Sequence, residues 1–496
     1  MALVHVSAYY PQQGLADRKL IATHEVQLGA QPLERFLPIV GADVVAGVRD
    51  IADKVRARLE GRVIWNINST ATGGGVAEML RSLIPYVRGV DIDSRWLVID
   101  GTPEFFAITK RLHHALHGSP GDGSDLGGAE KTVYEAVLRA NSDEISALVR
   151  PRDVVILHDP QTAGLAPRLV KAGAIVIWRC HVGTDTPNEE VEMGWHFLAP
   201  YLTHVSATIF SREKYIPKML DADHSVVIAP SIDPFSAKNQ GLEEGAVRAI
   251  LVHAGLLEGP AGGASPAFDR GDGSPGRVDR GADVIRLGRA PSWDTRLVVQ
   301  ISRWDPLKDP IGVIDGFLQY TRSGKDTETQ LVLAGPNVRA IEDDPEAAAT
   351  LDTVVKHWRA LPHEVRSRVE LASLPTADLE ENAAMVNALQ RHATVVVQKS
   401  LQEGFGLTVT EAMWKARPVL ASAVGGIEDQ IVNGEHGLLL KDPTSPKEFA
   451  SHLSRVLQDD RYAAELGEQA RERVMTEYLP IRHLKQYAEL LERVDR

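Results

Sequence analysis

The sequence is poor in cysteine, in excess positive charge and in long apolar runs. Its single cysteine, Cys180, excludes a disulfide within the chain and favours a reducing, cytoplasmic compartment. No apolar run approaches the roughly 20 residues that a membrane-spanning helix needs, and the first residues lack the pattern of a signal peptide. These features predict a cytoplasmic protein with no membrane-spanning segment.

The formal net charge is −13, from 54 Lys plus Arg against 67 Asp plus Glu. This balance argues against a nucleic-acid partner and against binding to anionic membranes. An anionic ligand would be repelled by the overall field of the protein. We therefore expect any such ligand to be held by a few well-placed cationic side chains.

Two series of short apolar, β-branched runs alternate with helical patterns. Strands that are apolar on both faces and are joined by helices indicate a parallel sheet covered on two sides. Two such series in 496 residues predict two doubly wound, Rossmann-like domains with ligands in the cleft between them. The predicted strands are 62–68, 94–100, 153–159, 174–180 and 225–231 in the first series, and 296–302, 329–335, 368–374, 393–399, 417–423 and 436–440 in the second.

The predicted domain boundary lies where the alternating strand and helix pattern is interrupted, between the first and second series. We assign 1–235 to a first domain and 236–477 to a second domain. Residues 256–292 are rich in Gly, Pro, Asp and Arg, and this composition predicts a flexible surface insertion. The C-terminal helix, about 478–496, is expected to pack back onto the first domain.

Three positions follow predicted strands with groups suited to phosphate. The triplet Gly73, Gly74 and Gly75 lies between a strand and a helix, where bare backbone and the helix N-terminus favour an anion. A tight turn explains the triplet equally well, and its spacing is not the dinucleotide fingerprint. Arg303 and Lys308 follow the strand 296–302, and an Arg fork with a Lys ammonium suits a diphosphate leaving group.

Two glutamates flank a glycine-rich turn in "EGFGLTVTE", residues 403–411. Glu403 lies in the loop after a strand and Glu411 lies early in the next helix. Phe405, Gly406 and Leu407 would present backbone N–H groups at the helix start. A carboxylate that accepts hydrogen bonds from vicinal hydroxyls can bind a sugar, so two of them beside a diphosphate site suggest a nucleotide-sugar. Taken alone, both glutamates could simply favour the helix dipole.

At these motifs the chain resembles the retaining glycosyltransferases of the GT-B fold. "EGFGLTVTE" resembles their Glu-seven-residues-Glu signature, and "SRWDPLKDP" (302–310) resembles their diphosphate motif. The first half is more specific: residues 66–118, "LHDPQTAGL" (157–165), "WRCHVGTD" (178–185) and "APSIDPFSAKN" (229–239) resemble the trehalose glycosyltransferring synthases of group 1, family four. The related retaining trehalose phosphorylases share these features.

The resemblance implies a role for each matching position. Arg303 and Lys308 would hold the donor diphosphate, Glu411 the ribose, and Glu403 the transferred glucose. The remaining implied donor contacts are Gly74, Asn337, Phe405, Gly406 and Leu407; those near the donor sugar or the acceptor are His181, Asp159, Gln161 and Arg179.

The implied reaction moves glucose from a nucleoside-diphosphate-glucose to glucose, forming trehalose with retention, in a direction that can reverse. The resemblance implies no required cofactor, with Mg²⁺ limited to a stimulatory role through the nucleotide phosphates, and a homodimer. It leaves open the donor base (ADP, UDP or GDP) and the preferred acceptor. A retaining trehalose phosphorylase and a non-catalytic sugar- or nucleotide-binding regulator are the alternative interpretations.

Overall fold

The structure, a computed structural model, describes residues 22–72, 74–324, 326–338 and 345–495. In these residues two seven-stranded sheets lie in two successive domains, each sheet parallel except for one antiparallel edge strand. Helices connect the parallel strands. The predicted pair of doubly wound domains, the GT-B architecture, is confirmed.

The first sheet has the strand order β1-β3-β2-β4-β5-β6-β7. Its strands are β1 (His24–Glu25), β2 (Ile64–Asn68), β3 (Ser94–Val98), β4 (Val154–His158), β5 (Ile175–Cys180), β6 (Ala207–Phe210) and β7 (Ser225–Val227). Its helices are α1 (Leu37–Val40), α2 (Ala42–Leu59), α3 (Gly74–Arg88), α4 (Pro103–Leu116), α5 (Gly128–Leu148), α6 (Ala166–Lys171) and α7 (Glu189–Leu202). All residues of β2 and β4 are buried, as expected where helices cover both faces.

The second sheet has the order β10-β13-β12-β11-β14-β15-β16, and β8 and β9 form a separate hairpin. The strands are β8 (Ala267–Asp269), β9 (Pro275–Arg277), β10 (Asp283–Ile285), β11 (Leu297–Ile301), β12 (Gln330–Pro336), β13 (Val369–Leu374), β14 (Val395–Gln398), β15 (Val419–Ser422) and β16 (Leu438–Leu440). The helices are α8 (Glu244–His253), α9 (Pro310–Thr321), α10 (Pro345–Ala360), α11 (His363–Arg366), α12 (Leu379–His392), α13 (Leu407–Trp414), α14 (Ile427–Gln430), α15 (Pro446–Gln458), α16 (Asp460–Glu477) and α17 (Pro480–Val494).

The segment 256–292 is more ordered than its composition predicted. It contains the β8–β9 hairpin and β10, which pairs antiparallel with β13 at the edge of the second sheet. Phe268 and Val278 are buried, and Arg270 forms an ion pair with Asp378 at 2.6 Å. Leu256 and Leu257 are buried as well, so four apolar side chains among many Gly, Pro and Asp residues anchor the segment, and it contains strands that the prediction of a flexible surface insertion did not include.

The chain returns to the first domain at its C-terminal helix. α17 packs against α2 and α3 of that domain. His483 of α17 lies 2.8 Å from Arg179 of β5, and Arg179 also donates to the Tyr487 hydroxyl at 2.6 Å. Among the described residues, no helix is both long and apolar enough to cross a bilayer.

Candidate active site

The crevice between the domains is formed where the strands of both sheets end. Tyr215 of the first domain donates its hydroxyl proton to the carbonyls of Glu403 and Gly404 at 3.0 and 2.9 Å. The Gly425 amide of the second domain donates to Asp185 Oδ2 of the first at 2.7 Å. These contacts bring the loop after β14 against the first domain, so the residues predicted from the two halves of the sequence meet.

Lys308 and Glu403 form the centre of the second-domain side of this crevice. Lys308 ends a 3₁₀ turn, Pro306–Lys308, that follows β11, and its carbonyl accepts from Gln300 Nε2 at 2.8 Å. Lys308 Nζ lies 2.5 Å from Glu403 Oε2, and Ser400 Oγ donates to the same oxygen at 3.1 Å. The sequence analysis assigned Lys308 to the diphosphate and Glu403 to the sugar. In the structure the two side chains are in direct contact.

A second ion pair lies behind Lys308 and fixes its loop. Lys399, a fully buried side chain at the end of β14, pairs with Asp309. Asp309 has a left-handed backbone, φ 45°, and its carboxylate accepts from the Gly312 amide at 3.0 Å to cap α9. Asp309, the residue after Lys308, is thus fixed through both its backbone and its side chain, and this sets the position of Lys308.

Arg303 lies at the mouth of the crevice. Its side chain is 67% exposed, and its Nη2 atom lies 2.7 Å from Asp305 Oδ2. Burial lowers the pKa of His113, on α4 of the first domain, to about 3, with contributions from the charges of His117, His114 and Arg303. Arg303 is therefore far less enclosed than Lys308, although its charge contributes to the lowered pKa of a first-domain histidine.

Two helix N-termini face each other across the crevice. α13 begins after Gly406, whose φ of 87° favours glycine, and the neighbouring Phe405 carbonyl accepts from Gln430 Nε2 at 2.5 Å. α3 begins at Gly74, with φ 80°, while Gly73 lies outside the described residues. A Cβ on Gly75 would lie 3.6 Å from Leu407 Cδ1, so the first turns of the two helices lie next to each other.

Glu411, the second predicted glutamate, is buried one turn into α13. Its side chain is 3% exposed, and Lys238 Nζ lies 3.5 Å from its Oε1 atom. Burial raises the pKa of this carboxyl, and the charge of Lys238 opposes that effect. Glu411 therefore already has a cationic partner, one that the sequence interpretation did not identify.

The first-domain side of the crevice holds Asp159, directly after β4. Its backbone has φ 62°, its amide donates to the Arg179 carbonyl at 2.8 Å, and its Oδ1 accepts from the His181 amide at 2.8 Å. Burial raises the pKa of the Asp159 carboxyl to about 7, against the lowering effects of that hydrogen bond and of Arg179. Near neutral pH this carboxyl can both donate and accept a hydrogen bond.

His181 belongs to a short chain of hydrogen bonds that fixes its tautomer. Asn66 Nδ2 donates to Ser94 Oγ at 3.3 Å, so its amide oxygen faces His158 Nε2, also at 3.3 Å. His158 Nε2 must then carry the proton, and its Nδ1 accepts from His181 Nε2 at 3.1 Å. Burial lowers the pKa of His158 to about 3 and that of His181 well below its usual value, so both rings are neutral.

Arg179 does not lie in the crevice, contrary to the prediction that it contacts an acceptor. Its side chain is fully buried, and its guanidinium contacts His483 and Tyr487 of α17 and the Ile228 carbonyl. The physical reason is its place inside β5, where its side chain points into the core that α17 covers. Gln161, the other weaker acceptor prediction, is half-buried in the turn after Asp159.

Asn337, another predicted donor contact, directly follows β12. The Asn337 amide donates to the Leu374 carbonyl at 2.8 Å, and Trp304 Nε1 donates to the Pro336 carbonyl at 3.0 Å. Val338 beside them is buried. In the described ranges, no group of three or more His, Cys, Asp or Glu side chains is arranged to hold a metal ion.

The structure also shows crevice residues that the sequence interpretation missed. A Cβ on Gly404 would lie 3.8 Å from His117 Cε1, which places α4 beside the Glu403 loop. The histidines of "RLHHALHG" recur at helical spacing, and that signal could have found them. Tyr215 and Asp185 were not singled out, although Asp185 ends the motif 178–185, because only the packed domains bring them to the second half. The missed residues are His113, His117, Asp185, Tyr215 and Lys238.

Two family models match the chain. Residues 66–217 match the family described as trehalose synthase, N-terminal domain, and residues 378–473 match glycosyl transferases group 1. The two matches contain the first-domain edge with Asp159 and His181 and the second-domain loop with Glu403 and Glu411.

Curated relatives match nearly the whole chain. The trehalose synthase of Pyrococcus horikoshii is 33% identical over 467 residues, covering 94% of this chain and 97% of that protein. The trehalose synthase of Rubrobacter xylanophilus is 33% identical, covering 93% and 96%. The trehalose phosphorylase of Pleurotus pulmonarius is 26% identical over 90% of this chain but only 58% of that longer protein.

Solved structures share the fold at low sequence identity. An α,α-trehalose-phosphate synthase (UDP-forming) from Burkholderia vietnamiensis superposes with a TM-score of 0.60 at 15% identity, covering 87% of this chain and 100% of that one. A sucrose-phosphate synthase from Thermosynechococcus elongatus gives 0.57 at 17%, covering 87% and 98%. At these identities the likeness speaks for the two-domain architecture alone.

Proposed function

The chain belongs to the trehalose synthase family of glycosyltransferases, and from that membership we propose that it transfers glucose from a nucleoside-diphosphate-glucose to free glucose. The proposed product is trehalose, formed with retention at the anomeric carbon, and the reaction can run in reverse. The donor base is proposed to be adenine or uracil.

The pairing of Lys308 with Glu403 carries this proposal. Lys308 Nζ lies 2.5 Å from Glu403 Oε2 near the N-terminus of α13, and such a pair of cation and carboxylate suits a departing phosphate and sugar hydroxyls. A donor sugar bonded to a diphosphate needs both groups at neighbouring positions. In this ion pair each side chain neutralises the charge of the other.

The proposed chemistry is a front-face substitution at the donor anomeric carbon. The bond from that carbon to the diphosphate oxygen breaks while a bond to the acceptor hydroxyl oxygen forms on the same face. The acceptor proton passes to an oxygen of the leaving diphosphate. Lys308, Arg303 and the amides at the start of α13 stabilise the charge that grows on the leaving group, which is where electrostatic catalysis has most effect.

The first domain is proposed to bind the acceptor. Asp159, with its pKa near 7, can share a hydrogen bond with an acceptor hydroxyl in either direction. The neutral His181 ring, held by His158, offers its remaining nitrogen to a sugar without adding a charge. Closure of the two domains would exclude water, which otherwise competes with the acceptor.

A panel of donors and acceptors tests the proposal. The protein is incubated with ADP-, UDP- or GDP-glucose and with glucose or glucose 6-phosphate, and products are identified by NMR. We expect trehalose from free glucose with an ADP or UDP donor. Absence of product from every pair, with a folded protein, would favour the non-catalytic regulator instead.

The second candidate function is a retaining trehalose phosphorylase, favoured by the 26% identity to the Pleurotus enzyme. Trehalose is supplied with ADP, UDP or inorganic phosphate, and its consumption is measured. The glycosyltransferase consumes trehalose only with a nucleoside diphosphate. Consumption with phosphate alone would replace the first function with the second.

Two further properties are part of the proposal. The reaction is proposed to need no metal, with Mg²⁺ acting only through the nucleotide phosphates, so turnover should persist in EDTA at a reduced level. The protein is proposed to be a homodimer in the cytoplasm, and light scattering would measure its mass in solution. Complete loss of turnover in EDTA, restored by Mg²⁺, would show a required metal.

A further inference from the structure

The segment that connects the two domains carries a cation directly at Glu411. Lys238 follows β7 and precedes α8, and its Nζ atom lies 3.5 Å from Glu411 Oε1 of the second domain. The same atom donates to Glu78 Oε1 and Oε2, on α3 of the first domain, at 2.7 and 3.0 Å. One ammonium group therefore connects a carboxylate from each domain.

The neighbouring residue holds Lys238 in this place. The Asn239 carbonyl accepts from Trp414 Nε1 at 2.9 Å, and its Oδ1 accepts from Lys415 Nζ at 3.0 Å. Both partners lie at the C-terminal end of the α13 segment that carries Glu411. The connecting segment and the helix are thus fixed to each other, so Lys238 keeps its distance to Glu411 without relying on its own flexible side chain.

The surroundings explain why Glu411 needs this partner. The carboxylate is almost completely buried, and Lys415 Nζ donates to the Glu411 carbonyl at 3.1 Å and to Asn239, not to the carboxylate. A buried carboxylate without a partner loses much of its hydration, and its orientation is then poorly defined. Glu78, at 47% exposure, shares Lys238 with Glu411 and extends this contact to the first domain.

We propose that Lys238 is a positioning residue for recognition of the donor ribose: it orients the Glu411 carboxylate towards the ribose hydroxyls and ties that carboxylate to the first domain through Glu78. This rests on the proposed function, in which Glu411 accepts hydrogen bonds from the ribose. Lys238 acts through Glu411 and does not itself touch the reacting atoms. Donor selection by the second domain then depends on a residue outside its βα series.

The test measures discrimination between ribose and 2′-deoxyribose in binding. Calorimetry gives Kd for ADP, UDP and their 2′-deoxy analogues with the full-length wild-type chain and with Lys238→Met. A hydrogen bond to a carboxylate predicts about 10-fold or greater preference for the ribonucleotide in the wild type. We expect Lys238→Met to reduce this ratio to about 1–3, and Lys238→Arg to retain most of it.

Lys214→Met is the matched control, because Lys214 also forms an ion pair across the domains, with Glu428 at 2.9 Å, but away from Glu411. The preference of Lys214→Met for the ribonucleotide over its 2′-deoxy analogue should equal that of the wild type. Circular dichroism and a melting curve establish that each variant is folded. Should Lys238→Met fail to fold, Lys238→Gln, which keeps a polar side chain, is measured in its place with the same expected loss of discrimination.

Two results would overturn the proposal. An unchanged ribose preference in the folded Lys238 variant would show that Glu411 needs no help from Lys238. An equal fall in affinity for both sugars would mean that Lys238 contacts the phosphates instead of positioning Glu411. Because binding is measured without turnover, failure of the proposed transfer reaction would appear separately, as nucleotide binding with no product in the donor and acceptor panel.

Discussion

The two sides of the crevice differ in how they treat charge. On the second domain, Lys308 pairs with Glu403 and Lys399 with Asp309. On the first domain, where β4 and β5 end, the His158 and His181 rings are kept neutral by burial. Under the proposed function this difference is a division of labour: charged groups would hold and release the diphosphate, and the neutral rings would recognise an uncharged sugar through hydrogen bonds.

Removal of a charge from the second-domain side of the crevice should have the largest effect on the rate of the proposed transfer. Lys308→Ala removes the cation nearest the leaving phosphate and leaves Glu403 without its partner. We expect kcat/KM for the proposed transfer to fall about 10²–10³-fold, the range seen when one group that stabilises transition-state charge is lost. Initial rates with saturating acceptor measure this effect.

The control for this change is Lys54→Ala, an exposed lysine in the second half of α2, which leads into the amino end of β2 and so lies towards the sheet edge opposite the crevice. It removes the same charge and should leave kcat/KM within about twofold, as expected for a surface position. A folded Lys308→Ala protein with wild-type turnover would remove Lys308 from the site. It would also end the contrast between a charged and a neutral side.

The first-domain side makes a prediction about pH and stability. His158 has a folded-state pKa of about 3 against an ordinary value of 6.5, so the unfolded chain binds the extra proton. Its contribution to stability is therefore present above pH 6.5 and is lost as pH falls from there towards 3. Between pH 7 and pH 5 this loss amounts to about 1–2 kcal/mol for one such histidine.

His158→Gln should remove that loss. Urea unfolding at pH 7 and pH 5 gives the free energy of unfolding, and we expect the variant to lose about 1–2 kcal/mol less than the wild type between them. His204→Gln, at an exposed histidine, should keep the wild-type dependence. If both variants and the wild type lose the same amount, His158 is not held neutral in the folded protein.

The sequence contains enough information to predict most strands of the two sheets. Prediction from sequence fails where the structure depends on contacts between residues far apart in the chain. Apolar runs such as 153–159 become buried strands because local pattern and final packing agree. The strands within 256–292 were not predicted, because buried side chains such as Phe268 and Val278 are sparse there among turn-forming residues.

The site shows the same limit. Lys308 and Glu403 were predicted from motifs because each follows a strand that ends at the crevice. Lys238 lies within the motif 229–239 but was not singled out, since its partners Glu78 and Glu411 lie 160 and 173 positions away in the sequence and only packing brings them together. Arg179 was misassigned for a related reason, because its partner helix α17 begins only at Pro480.

The smallest predicted effect concerns Arg179, which the structure places in the core of the first domain and not at the acceptor site. Tyr487→Phe removes the hydroxyl that accepts from Arg179 at 2.6 Å, and should cost about 1–2 kcal/mol of unfolding free energy. Tyr462→Phe is the matched control, because the Tyr462 hydroxyl has no hydrogen-bond partner in the described part of the chain and its loss should cost little. The KM for acceptor should not change in either variant, since Arg179 supports the first domain from within the core. A raised acceptor KM in Tyr487→Phe alone would instead place Arg179 in contact with the sugar, and the neutral side of the crevice would then include a cation.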